Sequence, residues 1–123
     1  VKVMCIESIQ KTYAMIIGAV LILVGLIGFF NNPIFGLFGV NPAQNVLHLV
    51  GGALGVWLGM RTVNAAKAYN MWLGIVAAVV AVVGFIPAGL DLLNNILNIN
   101  LEITVLHAAI AVVSLGVVYG VKR

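Results

Sequence analysis

YAMIIGAVLILVGLIGFF, residues 13–30, runs for eighteen positions without a charged side chain. At 1.5 Å per residue, a helix of about 20 apolar residues crosses a hydrocarbon core ~30 Å thick, so this stretch reads as a membrane span. Three further uncharged runs follow, at residues 42–60, 69–90 and 103–121. The expected architecture is all-α, a single-domain integral membrane bundle of four helices with spans at about 12–30, 42–60, 68–88 and 102–121. Composition points the same way. The chain is 63% apolar and 7% charged, against about 45–50% and 25% in ordinary soluble domains. At 123 residues there is too little interior to hide that much apolar surface from water, which excludes an ordinary soluble enzyme or a disordered segment.

Residues 13–30 follow Lys2 and Lys11 as a secretory signal would, but the run is too long for a signal core. It ends in Phe-Phe-Asn-Asn-Pro with no small-residue cleavage site, so it reads as an uncleaved span. The lone Cys5 cannot form an intrachain disulfide. Six basic residues against three acidic ones are too few for nucleic-acid binding.

Local signals mark the helix ends. Asn41-Pro42-Ala43-Gln44 has the form of a capping box, with Asn as the cap, Pro in the first turn and an amide three residues on. Asn100 and Glu102 mark the start of the last helix, and Pro87 should bend or stop the third. Between Asp91 and Asn100 the polar residues recur at helical spacing. That segment reads either as a short amphipathic helix at 90–99 lying in the membrane interface, or as a loop sunk among headgroups.

All six basic residues (Lys2, Lys11, Arg61, Lys67, Lys122 and Arg123) fall in the two termini and the loop between spans 2 and 3. The positive-inside rule therefore makes both termini cytoplasmic. Trp57 and Trp72, together with Tyr13, Tyr69 and Tyr119, read as interfacial anchors.

Shifting residues 13–30 by 56 positions onto 69–86 gives seven identities in 18, including Tyr13/Tyr69, Met15/Met71, Gly18/Gly74 and Gly28/Gly84. With three residues inserted, Val46-Leu47-His48 then aligns with Val105-Leu106-His107. The expectation is two duplicated helical hairpins in parallel orientation, related by an axis along the membrane normal.

Gly51, Gly52, Gly55 and Gly59 give span 2 a small-residue packing face, which lets backbones approach closely in lipid. His48 lies at the outer end of that face, and His107 takes the matching place on the last helix, in line with Ala111 and Ser114. Two readings of the histidines stand side by side. Each imidazole could satisfy a backbone carbonyl or a loop Asn, or the pair could ligate a haem or other tetrapyrrole. Met15 and Met71 read as packing residues. No nucleophile, metalloprotease or phosphate-loop motif occurs.

The string FGVNPAQNVLHLVGGALGVWLG, residues 38–59, with the second Val-Leu-His at 105–107, resembles domain-of-unknown-function family 4383 across roughly residues 13–121. The resemblance implies a small four-helix membrane protein of the prokaryotic cell membrane, and no reaction, cofactor or ligand. The functional expectation is a non-enzymatic multi-pass protein, a structural or accessory subunit contacting lipid and other membrane subunits or copies of itself. The alternatives are a haem- or chlorophyll-type pigment-binding protein using His48 and His107, and a small homo-oligomeric transporter or channel. The charge pattern makes a direct prediction: a fluorescent reporter that folds only in the cytoplasm glows when fused after Arg123 in a bacterial host, while an alkaline phosphatase fusion there stays inactive. The reverse pattern would refute the orientation.

Overall fold

The computed structural model describes residues 2–120, with side chains from residue 9 onward. Lys2, Cys5, Lys122 and Arg123, and residue 121 at the expected end of the last span, therefore lie outside the described side chains. The elements are α1 (Lys2–Gly28), α2 (Pro42–Gly59), α3 (Val63–Phe85), α4 (Pro87–Leu97) and α5 (Leu101–Gly120). Among the described residues there are thus five helices rather than four. The extra one is α4, covering residues 87–97 where the sequence suggested 90–99. Pro87 explains its start: Pro is compatible with the first turn of a helix, and it ends α3 at Phe85 because it cannot continue that helix's hydrogen bonds.

Among the described residues, three helices are long and apolar enough to cross a membrane: residues Ile9–Gly28, Val63–Phe85 and Leu101–Gly120. Within each, only 28% of the most apolar window is buried. Most of that apolar surface therefore faces outward, as expected of helices surrounded by lipid. The fourth expected span, α2, falls short of that apolarity because Gln44, Asn45 and His48 occupy its first two turns. Helix boundaries also shift from expectation. Residues 2–11 contain no Pro or Gly, and α1 starts at Lys2. The side chain of Thr62 accepts the Ala65 N–H, and this cap starts α3 at Val63, ahead of Lys67.

α1 packs chiefly on α2 and α3 chiefly on α5, while α1 and α3 meet in the middle. The α1–α2 contact is antiparallel and nearly backbone to backbone. A Cβ on Gly18 would lie 2.6 Å from the Gly52 carbonyl oxygen and 2.7 Å from the Val56 nitrogen. A Cβ on Gly52 would lie 2.8 Å from the Ile22 nitrogen. Farther toward the chain's basic end, Gly59 abuts Met15 and the Lys11 carbonyl. Gly55 instead makes room for the Tyr69 ring of α3, and nothing lies within 4 Å of the place a Gly51 Cβ would take. The packing face is therefore carried by Gly52, Gly55 and Gly59.

The opposite end is closed by the connecting segments. Ile34, Val40, Ile99 and Ile103 form a buried cluster supported by Val24, Ile27 and Val80 from the spans and Leu90, Leu93 and Leu97 from α4. Ile34 and Phe38 exchange two backbone hydrogen bonds, which folds the 31–41 loop back on itself.

Replacing Gly18 or Gly52 with Ala drives a methyl group into backbone, with nothing flexible to yield. Such overpacking costs about 1–3 kcal/mol. Gly116→Ala, where no atom lies within 4 Å of the new Cβ, should be neutral or raise stability by about 0.5–1 kcal/mol. SDS unfolding in bicelles distinguishes the two classes, and equal effects at Gly18 and Gly116 would contradict the packing described.

Candidate functional site

The buried polar side chains of the helices fall in two groups. The first lies toward the basic end. Gln10 is 4% exposed and Asn70 fully buried. The Gln10 Nε2 donates to the Val117 carbonyl at 2.9 Å, and the Asn70 Nδ2 donates to the Gln10 carbonyl at 3.0 Å and to its Oε1 at 3.1 Å. These two amides link α1, α3 and α5. Beside them the Tyr13 and Ser114 hydroxyls are hydrogen-bonded, and the Tyr69 hydroxyl donates to the Gly51 carbonyl at 2.8 Å. Tyr13 and Tyr69 are thus interhelical ties and not the interfacial anchors their sequence positions suggested. In hydrocarbon their hydroxyls gain more from a protein partner than from lipid. Tyr119 is exposed, as is Trp57, over whose ring the Arg61 guanidinium sits at 5.1 Å.

The second group lies toward the other end. Asn45 is buried with its side chain against Gly28, where any Cβ would collide with the amide oxygen. One turn on along α2 is His48, and His107 lies in the second turn of α5. The Nδ1 atoms of both histidines, and the Asn45 Oδ1, are buried without a hydrogen-bond partner. The loop asparagines that could have served the histidines are bonded elsewhere. Asn41 Nδ2 donates to the Ile96 carbonyl, Asn98 Nδ2 to Val40, and Asn100 Nδ2 to Leu37. Gln44 donates to the Gly39 and Leu97 carbonyls. Five amide–carbonyl bonds therefore lace the 31–41 loop and the start of α2 to the α4–α5 segment or to each other. Asn41 does cap α2, its side chain accepting the Gln44 N–H at 2.8 Å. The Gln44 side chain does not complete the reciprocal box and points into this lacing instead.

The amide pair Gln10–Asn70 was missed from sequence. The available signal was an amide close to each of the two equivalent tyrosines, three residues before Tyr13 and one after Tyr69. Two shallow grooves of about 300 and 180 Å³ run along the α1–α5 seam, sharing Tyr13 in their lining; neither is lined by a histidine. Among the described residues no three of His, Cys, Asp and Glu come together in a group that could hold a metal ion. Ser114 faces a tyrosine hydroxyl, so the chemistry on offer is neutral hydrogen bonding, with the two imidazoles as the available lone-pair donors.

Apolar helices with inward amides and an outward apolar surface define the class: an all-α protein whose helices are able to span a membrane. Within that class, the chain belongs to the family described as Domain of unknown function (DUF4383), which it matches over residues 11–120. No curated protein and no solved structure matches it.

The two polar groups predict different responses to apolar substitution. Asn70→Leu removes two hydrogen bonds and leaves the Gln10 Oε1 without its donor, costing about 0.6–2 kcal/mol in a membrane. Removing a group whose buried polar atom has no partner is close to neutral, so His48→Leu should change stability by less than about 1 kcal/mol. Unfolding titrations of the two variants check this, and a His48 loss equal to that of Asn70 would show that the imidazole has a bonded partner.

Proposed function

We propose that the chain is a non-enzymatic four-span membrane protein, made of two duplicated hairpins, that serves as a structural or accessory subunit of a larger membrane complex. The observation carrying this reading is the direction of its polarity: buried amides and the hydroxyls of Tyr13 and Tyr69 are spent on joining its own helices, while the long helices turn many large apolar side chains outward. A surface of this kind suits contact with lipid and with other helices rather than with a soluble substrate.

Two further features support the finer parts of the proposal. α2 reads as the fourth span because its polar first turns face protein: Gln44 and Asn45 are buried, and the exposed positions there, Pro42, Ala43, Val46, Leu47 and Val50, are all apolar. The duplication is supported by register. Moving Gly28 by 56 gives Gly84, and moving its neighbour Asn45 by 59 gives Thr104, the residue against which Gly84 packs. The same shifts turn the Gly18–Gly55 and Gly18–Val56 contacts into Gly74–Ser114 and Gly74–Leu115. Tyr13 and Tyr69, equivalent under the same shift, each reach across to the second long helix of the other hairpin.

Extraction in native lipid should recover the chain with other membrane subunits, resolved by native electrophoresis and mass spectrometry. Recovery only as a monomer or self-oligomer would defeat the subunit reading. A second reading, a haem- or chlorophyll-type tetrapyrrole held by His48 and His107, is favoured by the two unbonded Nδ1 atoms, since an axial ligand is a histidine nitrogen with a free lone pair. It predicts a Soret band in the purified protein that is lost in His48→Ala, and a spectrum without one would remove it.

A further inference from the structure

We propose that α4 and the 31–41 loop form a collar inserted into the headgroup–acyl boundary of the leaflet farthest from the basic residues, and that its partner is a lipid interface of no net charge. The inference rests on the reading of the long helices as membrane-spanning.

α4 has three faces, where a helix lying on protein in water needs two. Leu90, Leu93 and Leu97 pack onto the buried cluster beneath it. Asp91 and Asn95, four residues apart and both exposed, form a polar stripe on one flank. Leu92 and Ile96, also four apart, form an apolar stripe on the other flank, 56% and 58% exposed. At 100° per residue each face takes roughly a third of the circumference, in the order protein, water, apolar. A boundary between a wet and an apolar medium satisfies all three faces at once.

The rest of the same end agrees. Phe85 and Ile86, leading into α4, are exposed and continue the apolar surface of α3. Phe30, at the end of α1, is 92% exposed. In the loop, the Ile34–Phe38 pairing turns Ile34 inward, while Phe35, at φ 53° in the left-handed region that a bulky residue rarely adopts, is 72% exposed. The lacing bonds Asn41–Ile96 and Asn100–Leu37 tie this loop to α4 and α5.

Charge selects the kind of interface. The connecting segments at this end contain no Lys or Arg, and their charged residues are Asp91 and, at the start of α5, Glu102. Anionic headgroups would gain nothing here, so insertion should need neither anionic lipid nor low salt. The exposed Leu92/Ile96 stripe follows the exposed Phe85 and Ile86 at the end of a helix whose outward surface is apolar, which favours lipid over a separate protein as its occupant.

The test uses single-cysteine variants of the full chain, with Cys5 replaced by Ser, spin-labelled and reconstituted alone into phosphatidylcholine nanodiscs. Labels replacing Leu92 and Ile96 should show an oxygen-to-nickel-complex accessibility ratio several-fold higher than labels replacing Asp91 and Asn95, unchanged when anionic lipid is added. A label replacing Val112, exposed in mid-α5, reports the spanning reading separately. Lipid contact at 112 with water contact at 92 and 96 overturns the collar alone, whereas water contact at 112 overturns the reading beneath it. Lipid contact at 92 and 96 only when anionic lipid is present also contradicts the proposal. So does shielding of these positions in native membranes by a cross-linkable protein while they face water in nanodiscs, since the occupant is then a protein partner.

Discussion

The approach of α1 to α2 at Gly18 and Gly52 sets the terms for the rest of the molecule. Between helices already in lipid, water supplies no hydrophobic drive, and association depends on dispersion contact and hydrogen bonds. The first is gained only when backbones come close. At this crossing there is no room for even a methyl group. The second hairpin solves the same problem with a side chain in the gap: Leu115 and Ser114 fill the space over Gly74, and Thr104 that over Gly84. The two hairpins share an antiparallel geometry with different degrees of closeness.

Hydrogen bonding then joins one hairpin to the other. A polar group exposed to hydrocarbon is costly, so each amide or hydroxyl in a span is pressed to find a partner within the protein. Gln10 and Asn70 do this where α1, α3 and α5 meet, Tyr13 reaches α5, and Tyr69 reaches α2. At the other end the loop asparagines bind carbonyls across the connecting segments. The histidines stand apart, because their Nδ1 atoms share this interior without taking part in either network.

Much of this was legible in the sequence because its causes are local. Charge-free length marks spans, Asn41 caps α2 through its own third neighbour, and Pro87 separates α3 from α4. What escaped reading depends on contacts distant in the chain. Gln44 looked like half of a capping box, but one of the carbonyls it binds belongs to Leu97, 53 residues away. Tyr13 and Tyr69 sit near the ends of apolar runs, where aromatic anchors are common, and only the crossing of the hairpins turns them inward. Gly51 and Gly52 are adjacent, and the phase of the helix against α1 decides that one packs and the other does not. Gln44 and Asn45 lower the hydropathy of α2, although both side chains are buried.

Whether α2 crosses the bilayer is the point on which this account most depends, since it decides that two hairpins, and not three separate spans, make up the protein. Asn31→Cys and Arg61→Cys, each in a background with Cys5 replaced, place an exposed thiol at either end of α2. Labelling with a membrane-impermeant maleimide in sealed vesicles of known orientation should reach position 31 from one side and position 61 only from the other, after permeabilisation. Labelling of both positions from the same side would contradict the account.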